Sequence, residues 1–311
     1  MAELNLSKVI ISPSPHFHAN INSDKIMNRV ILSLIPASIA AFYFFGWISF
    51  LKVVGLSVAS AVLFEFIILR LFKRKPITGT YSSSVVTGLL LALTLPPTSP
   101  WWIPIVGSAI AIIVAKEFFG GLGHNPFNPA LVGRAVLLIS WPTHLTTFVQ
   151  PFSGITTATP LAFFRDNLPL PSYQDLLLGN IAGSLGETSA IALIIGGIFL
   201  LLSRTIEWQI PAAYLGSAAI LSLTLGRDPV FELLAGGILM GAFFMATDYV
   251  TSPITPWGKL LFGIGCGLLT ITIRVFGGYP EGVTFAILIM NAFTPMLEQA
   301  TFPRKYGMVR K

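Results

Sequence analysis

Arg29-Val30-Ile31-Leu32-Ser33-Leu34-Ile35-Pro36-Ala37-Ser38-Ile39-Ala40-Ala41-Phe42-Tyr43-Phe44-Phe45-Gly46-Trp47-Ile48 carries one charge, and that charge stands at its edge. A helix needs about 20 predominantly apolar residues to cross a bilayer, and this stretch supplies them. The same texture recurs along the chain. Ten segments qualify: 29–48, 51–71, 82–96, 102–118, 128–142, 188–203, 208–225, 231–248, 258–275 and 282–299, of which the third and fifth are short. A soluble all-helical core is the rival reading. Against it, only 10% of the 311 residues are charged, where a soluble domain carries about 25%. The pattern predicts an all-α polytopic membrane protein with about ten transmembrane helices.

Lysine and arginine orient these spans. With the N-terminus in the cytoplasm, fifteen of the nineteen fall on the inner side, and only Lys52, Arg165, Arg227 and Arg274 fall outside. Inner loops are the ones enriched in such residues, so both termini are expected in the cytoplasm. The net charge of +6 then reflects basic inner loops rather than a nucleic-acid partner. Five units follow: a polar N-terminal segment 1–28, a first membrane repeat 29–142, an extracytoplasmic loop 143–187, a second membrane repeat 188–299 and a tail 300–311. The N-terminal segment lacks the apolar core and small-residue cleavage site of a signal peptide.

The two membrane halves echo each other. Gly88, Thr94, Thr98, Ser99 and Pro100 recur at the same offsets as Gly241, Thr247, Thr251, Ser252 and Pro253, and Phe119-Gly120-Gly121 recurs as Phe276-Gly277-Gly278. Five spans per half is odd, so the second copy must be inverted, an arrangement that places sites at the repeat interface.

Metal chemistry has little to work with. The single cysteine, Cys266, sits in an apolar run and reads as a small buried residue. None of His16, His18, His124 and His144 pairs with another at helical ligand spacing, so no metal site is expected from this chain. The concentration of hydroxyls in the long loop, Ser153-Gly154-Ile155-Thr156-Thr157-Ala158-Thr159-Pro160-Leu161, stands out instead. A threonine hydroxyl can be esterified to a phosphate, and Pro160 biases Thr159 toward extended backbone, which would present its side chain outward. On the residues alone, an unmodified threonine-rich loop is the plainer reading.

Several blocks together resemble the RnfD family, the D subunits of Rnf electron-transport complexes, relatives of the B subunit of the sodium-translocating NADH:quinone oxidoreductase. They are Ile11-Ser12-Pro13-Ser14-Pro15-His16, Leu95-Pro96-Pro97 with Pro100-Trp101-Trp102, Gly120-Gly121-Leu122-Gly123-His124-Asn125-Pro126-Phe127-Asn128-Pro129-Ala130, Ala158-Thr159-Pro160-Leu161, Thr247-Asp248-Tyr249-Val250-Thr251, and Phe276-Gly277-Gly278-Tyr279-Pro280-Glu281-Gly282-Val283. The resemblance implies covalent FMN, attached by a flavin transferase to the threonine that ends a Ser/Thr-x-Ala-Thr pattern. Thr156-Thr157-Ala158-Thr159 fits, which implies Thr159 as the attachment residue. Thr156 is the second choice, because Ser153-Gly154-Ile155-Thr156 matches a related pattern except for the branched Ile155.

The resemblance also implies a place in a multi-subunit, ion-transporting ferredoxin:NAD oxidoreductase of a bacterial or archaeal plasma membrane, with no complete enzymatic activity in this chain alone. Its partners would be a G-type flavoprotein subunit, A- and E-type iron–sulfur membrane subunits, and B- and C-type cytoplasmic subunits. A second, non-covalent flavin between the halves is left open. A channel or facilitator for a small polar solute, with Thr159 unmodified, is the alternative.

Other candidates lie within the spans. Asn125 and Asn128 flank prolines that interrupt the start of the fifth span, as Asn291 and Pro295 interrupt the tenth. Such paired breaks point to a central cofactor or substrate site, although Asn at these places also caps helices. Asp248, with Thr247, and Glu65 are intramembrane acids and hydroxyls fit for an ion pathway. Glu65 has the simpler alternative of pairing with Lys116 or Arg134. Phe163 and Phe164, next to Thr159, suit either a flavin ring or the membrane surface.

Overall fold

The computed structural model describes residues 22–72, 81–165, 169–277 and 282–303. The Ile11–His16 block, the basic residues 73–75, most of Gly278–Val283 and the C-terminal tail from 304 therefore lie outside the described residues. Among those described, the structure is helical, with no β-strand and a single isolated bridge between Val149 and Thr156.

Fourteen helices follow one another: α1 (Ser23–Phe50), α2 (Leu56–Ile67), α3 (Ser82–Thr94), α4 (Trp102–Ala109), α5 (Pro129–Ser140), α6 (Pro142–Thr146), α7 (Pro160–Arg165), α8 (Tyr173–Leu178), α9 (Ala190–Leu202), α10 (Gln209–Thr224), α11 (Pro229–Leu234), α12 (Ile238–Met240), α13 (Pro256–Phe276) and α14 (Val283–Thr301). Wider i→i+5 turns extend four of these runs, at Leu51–Gly55, Ile68–Phe72, Ile110–Glu117 and Gly241–Met245.

The Ser23–Leu71 run, Pro256–Phe276 and Val283–Thr301 are each long and apolar enough to cross a membrane, while Ser82–Thr94, Pro129–Ser140 and Ala190–Leu202 are shorter apolar helices. Large apolar side chains such as Ile39, Trp47, Leu63, Ile139, Leu202 and Ile220 face outward. In water that would be a contiguous sticky surface; in lipid it is the ordinary exterior. The protein is a polytopic membrane protein.

Two expected spans, 29–48 and 51–71, form one helical run divided at Gly46. This glycine has φ +76 and ψ 163, which no helix tolerates. The rings of Phe42 and Phe50 lie 5.8 Å apart, whereas eight helical residues would rise about 12 Å. The chain therefore bends sharply at Gly46. The expected eighth span, 231–248, is also divided. It breaks after α11 at Gly236 (φ +67) and resumes at Ile238. A β-carbon on Gly237 would stand 2.6 Å from Glu187 Oε1, and one on Gly236 would stand 2.9 Å from Leu161 Cδ1. The break admits these two side chains.

Packing repeats between the halves. In the first, α3 rests on α1 and α2, α2 on α4, and α4 on α5. In the second, α12 rests on α9, α11 on α10, α10 on α13, and α13 on α14. The first helices of the halves meet (α1 with α9), and so do the last (α5 with α14). Repeats arranged about a twofold axis give this pattern. Contacts are close because small residues sit at the crossings. A β-carbon on Gly196 would lie 2.1 Å from Ser33 O, and one on Gly267 would lie 2.5 Å from Tyr214 O. Cys266 is fully buried, as its apolar surroundings suggest.

The stretch 143–187 is not loop throughout. It holds α6, α7 and α8, and every residue from Ile181 to Ala190 is buried. The Gly186 and Leu185 amides donate to Leu93 O (2.7 Å) and Leu95 O (3.1 Å). This segment thus caps the end of α3 inside the bundle.

Candidate functional site

The residues singled out by sequence fall into two groups at opposite ends of the molecule. Met27 lines one cavity and Gly46 another, both on α1. Nineteen helical residues separate them, about 28 Å.

At one end stand the threonines. Residues 148–157 form a short hairpin, with Thr157 N donating to Phe148 O (3.1 Å) and Gln150 N to Ile155 O (2.9 Å). The chain then enters α7, where Pro160 takes the first helical position, a place that requires no N–H. Thr159 precedes it as a cap. Its carbonyl accepts from Phe163 N at 3.0 Å, and its hydroxyl faces Ala162 N at 3.4 Å. Capping folds the side chain over the first turn. Thr159 is consequently only 8% exposed, and the expectation that it points outward is corrected. Thr156 is exposed and Thr157 partly so.

Thr159 lines a small cavity of about 10 Å³ together with Leu161, Ile181, Gly183, Glu187 and Gly236. Behind Gly236, outside the cavity lining, lies an ionic cluster. Glu232 accepts from Arg227 Nε (2.6 Å) and from Arg274 Nη1 (2.7 Å), and Arg274 also donates to the carbonyls of Glu232 and Ala235. A β-carbon on Gly236 would lie 3.1 Å from Arg274 Nη2, and Arg274 Nε is buried without a hydrogen-bond partner. Phe164 settles on Phe231 (5.7 Å, stacked), with the Arg227 guanidinium 4.0 Å from its ring centroid. Phe164 thus packs on the protein itself rather than on the membrane surface. Lys52, Arg165, Arg227 and Arg274, the four cations that charge counting put on one side, all lie at this end.

At the other end, a cavity of about 70 Å³ opens between the halves, and Asn125, Asn128, Lys116, Thr247 and Asp248 all line it. Asn125 and Asn128, read from sequence as part of a central site, lie here with the ion-pathway candidates. Asn128 does cap α5, accepting from Ala130 N (3.0 Å) and Leu131 N (3.4 Å), and it also donates across the halves to Met245 O (3.2 Å). Asn291, with its amide turned to satisfy both neighbours, donates to Thr251 O and accepts from Asn128 N. The two interrupted helices are therefore tied to each other. Thr251 donates to Asp248 Oδ2 (3.2 Å), while the Thr247 hydroxyl is spent on Phe243 O (2.7 Å). Glu65 pairs with Lys116 at 2.7 Å, both buried, and stands behind Lys116 rather than on the cavity wall.

Glu187, Arg274 and Glu232 escape the sequence reading. Glu187 borders the Thr159 cavity and a second small cavity shared with Arg134. Its only signal is a carboxylate in the otherwise uncharged run Ile181–Leu202. Arg274 is visible as a cation within a span, the kind of residue that must find partners.

Residues 10–307 match the model of the NQR2, RnfD, RnfE family. The D subunit of the Na(+)-translocating ferredoxin:NAD(+) oxidoreductase complex of Acetobacterium woodii is 47% identical, over 100% of this chain and 98% of that protein. The D subunit of the proton-translocating ferredoxin:NAD(+) oxidoreductase complex of Clostridium ljungdahlii is 43% identical, over 100% of both. The D subunit of the ion-translocating oxidoreductase complex of Yersinia enterocolitica is 38% identical, over 96% of this chain and 99% of that protein.

Proposed function

The chain belongs to the NQR2, RnfD, RnfE family, and from that membership we propose that it is the flavin-bearing membrane subunit of an Rnf-type complex, with FMN esterified through its phosphate to Thr159. The complex would move electrons between ferredoxin and NAD and couple that flow to cation transport. G-type, A- and E-type, and B- and C-type subunits would surround this one, and a flavin transferase would load it. The termini face the cytoplasm and the Thr159 end faces away from it.

One observation carries the assignment of the threonine. The Thr159 hydroxyl opens into a cavity of its own and makes only one long contact there. The Arg274 guanidinium lies behind Gly236, outside the cavity lining, with an unsatisfied Nε. It is the nearby cation for a phosphate ester, and arginine suits a phosphate well; Glu187, which does line the cavity, would have to turn away from it. Thr156, by contrast, is exposed and backed by the branched Ile155. FMN would supply one- and two-electron redox chemistry. The protein's part is to hold the phosphate, keep α7 docked on α11, and set the surroundings of the ring.

The inner cavity, about 70 Å³, offers amides, an ammonium and a carboxylate. That is well below the roughly 300–1,000 Å³ of a small-molecule site, so a second, non-covalent flavin does not fit it, and we assign its polar lining, with Asp248, Thr247 and the adjoining Glu65, to the cation route.

Intact mass of the denatured protein, purified from a host with a flavin transferase, tests the tether. Wild type and Thr156→Val gain the mass of one FMN less water; Thr159→Val gains none. Wild type without the increment defeats the reading and leaves a solute facilitator.

A further inference from the structure

The Thr159 cavity, about 10 Å³ and walled by Leu161, has no room for a tricyclic ring. The ring must lie elsewhere, and this inference rests on the covalent flavin proposed above. The inner cavity is at the far end of α1, out of reach. A third space, an open cleft of about 580 Å³, is continuous with the hairpin that leads into Thr159. Val149, Gln150, Phe152 and Gly154 of that hairpin line it, opposite Lys52 at the Gly46 bend. Thr156 pairs with Val149. Three residues on from Thr156 the chain has travelled at most about 10 Å to Thr159. The ribityl linker of a flavin spans a gap of this order.

The cleft is built with an expensive feature. Phe152 has φ +61, a left-handed conformation that is a genuine outlier for a bulky residue. The strain serves no buried core, since Phe152 is 68% exposed. It holds the ring in an aromatic group, 5.4 Å from Tyr43 and 5.6 Å from Phe44, while Phe152 N donates to Phe44 O (3.3 Å). Strain of this kind persists where geometry is needed for function. Lys52 is the cation in the lining, and among its other residues there is no carboxylate.

We propose that this cleft seats the isoalloxazine of the Thr159-linked flavin, with the exposed Phe152 ring as its stacking face, braced by the edge-on Tyr43 and the tilted Phe44, and Lys52 as the cation beside the ring. Aromatic faces stack on a flat conjugated ring. An ammonium beside it favours the reduced, more electron-rich form, so Lys52 raises the flavin potential.

Phe152→Gly and Lys52→Gln test this in the full-length, flavin-loaded protein. Glycine takes a positive φ at no steric cost, so Phe152→Gly deletes the ring and relieves the strain together. Both variants are expected to keep the covalent mass increment. Phe152→Gly raises native-state flavin fluorescence several-fold, because stacking no longer quenches it, and Lys52→Gln makes the midpoint potential more negative. Phe152→Tyr preserves both properties. Loaded variants with wild-type fluorescence and potential overturn the ring placement alone. An unloaded wild type overturns the tether and the placement with it.

Discussion

Thr159 and Thr156 stand three residues apart with the same hydroxyl, yet one closes over a helix start and the other faces outward. The difference arises from the partners of α7. Leu161 is buried with Ile181, Phe231 and Ala235, and this draws the cap inward. The same end carries an exposed clasp, Tyr173 donating to Asp228, between α8 and the start of α11. The bond holds the Asp228 carboxyl below its ordinary 3.8 and the Tyr173 phenol above its ordinary 10.0. Because Asp228 is depressed, its contribution is present above 3.8 and is lost as pH falls through the lower folded value. Because Tyr173 is raised, its contribution is present below 10.0 and is lost as pH rises through the higher folded value. Hydrogen-exchange protection factors of α8 and α11, corrected for the intrinsic pH dependence of amide exchange, are therefore expected to be flat between these limits and to fall outside them. Tyr173→Phe should lower them at neutral pH.

Among the elements, the helix contacts decide stability. Glu232 bridges two arginines from inside the protein, and deleting one member of such a group strands charge, at about 3–5 kcal/mol. Glu232→Ala should lower the unfolding midpoint in detergent far more than a substitution at exposed Glu207 does. Gly196 is where α9 crosses α1, and its missing β-carbon makes room for Ser33 O. Gly196→Ala forces the helices apart, at about 1–3 kcal/mol. Loss of thermal stability with the Thr159 mass increment retained is the expected outcome, since the crossing is remote from α7. A tolerated Gly196→Ala would mean that α1 and α9 are not packed as described.

At the scale of the molecule, the candidate residues are divided between the two ends. Asp248 lines the inner cavity, and Asp248→Asn in the reconstituted complex should slow cation transport while leaving the flavin on Thr159. Unchanged transport would remove Asp248 from the route. Orientation is separately testable. A cysteine at the exposed Ser153, in a Cys266→Ser background, should react with an impermeant thiol reagent in whole cells. Protection there would invert the topology drawn from the lysines and arginines.

The described apolar segments are mostly helical, because a bilayer leaves backbone groups no partner except the helix itself. Composition was therefore enough for the helical, polytopic class. The Asn128 cap was legible too, since capping is a local event. The interruption at Gly236–Gly237, the inward turn of Thr159, the burial of Ile181–Ala190 and the separation of Asn125 and Asn128 from the threonines were not. Each depends on residues brought together from distant parts of the chain: Glu187 against Gly237, Leu161 against Gly236, Gly186 against Leu93. Periodicity reports how one segment meets its solvent; only packing decides which segments meet each other.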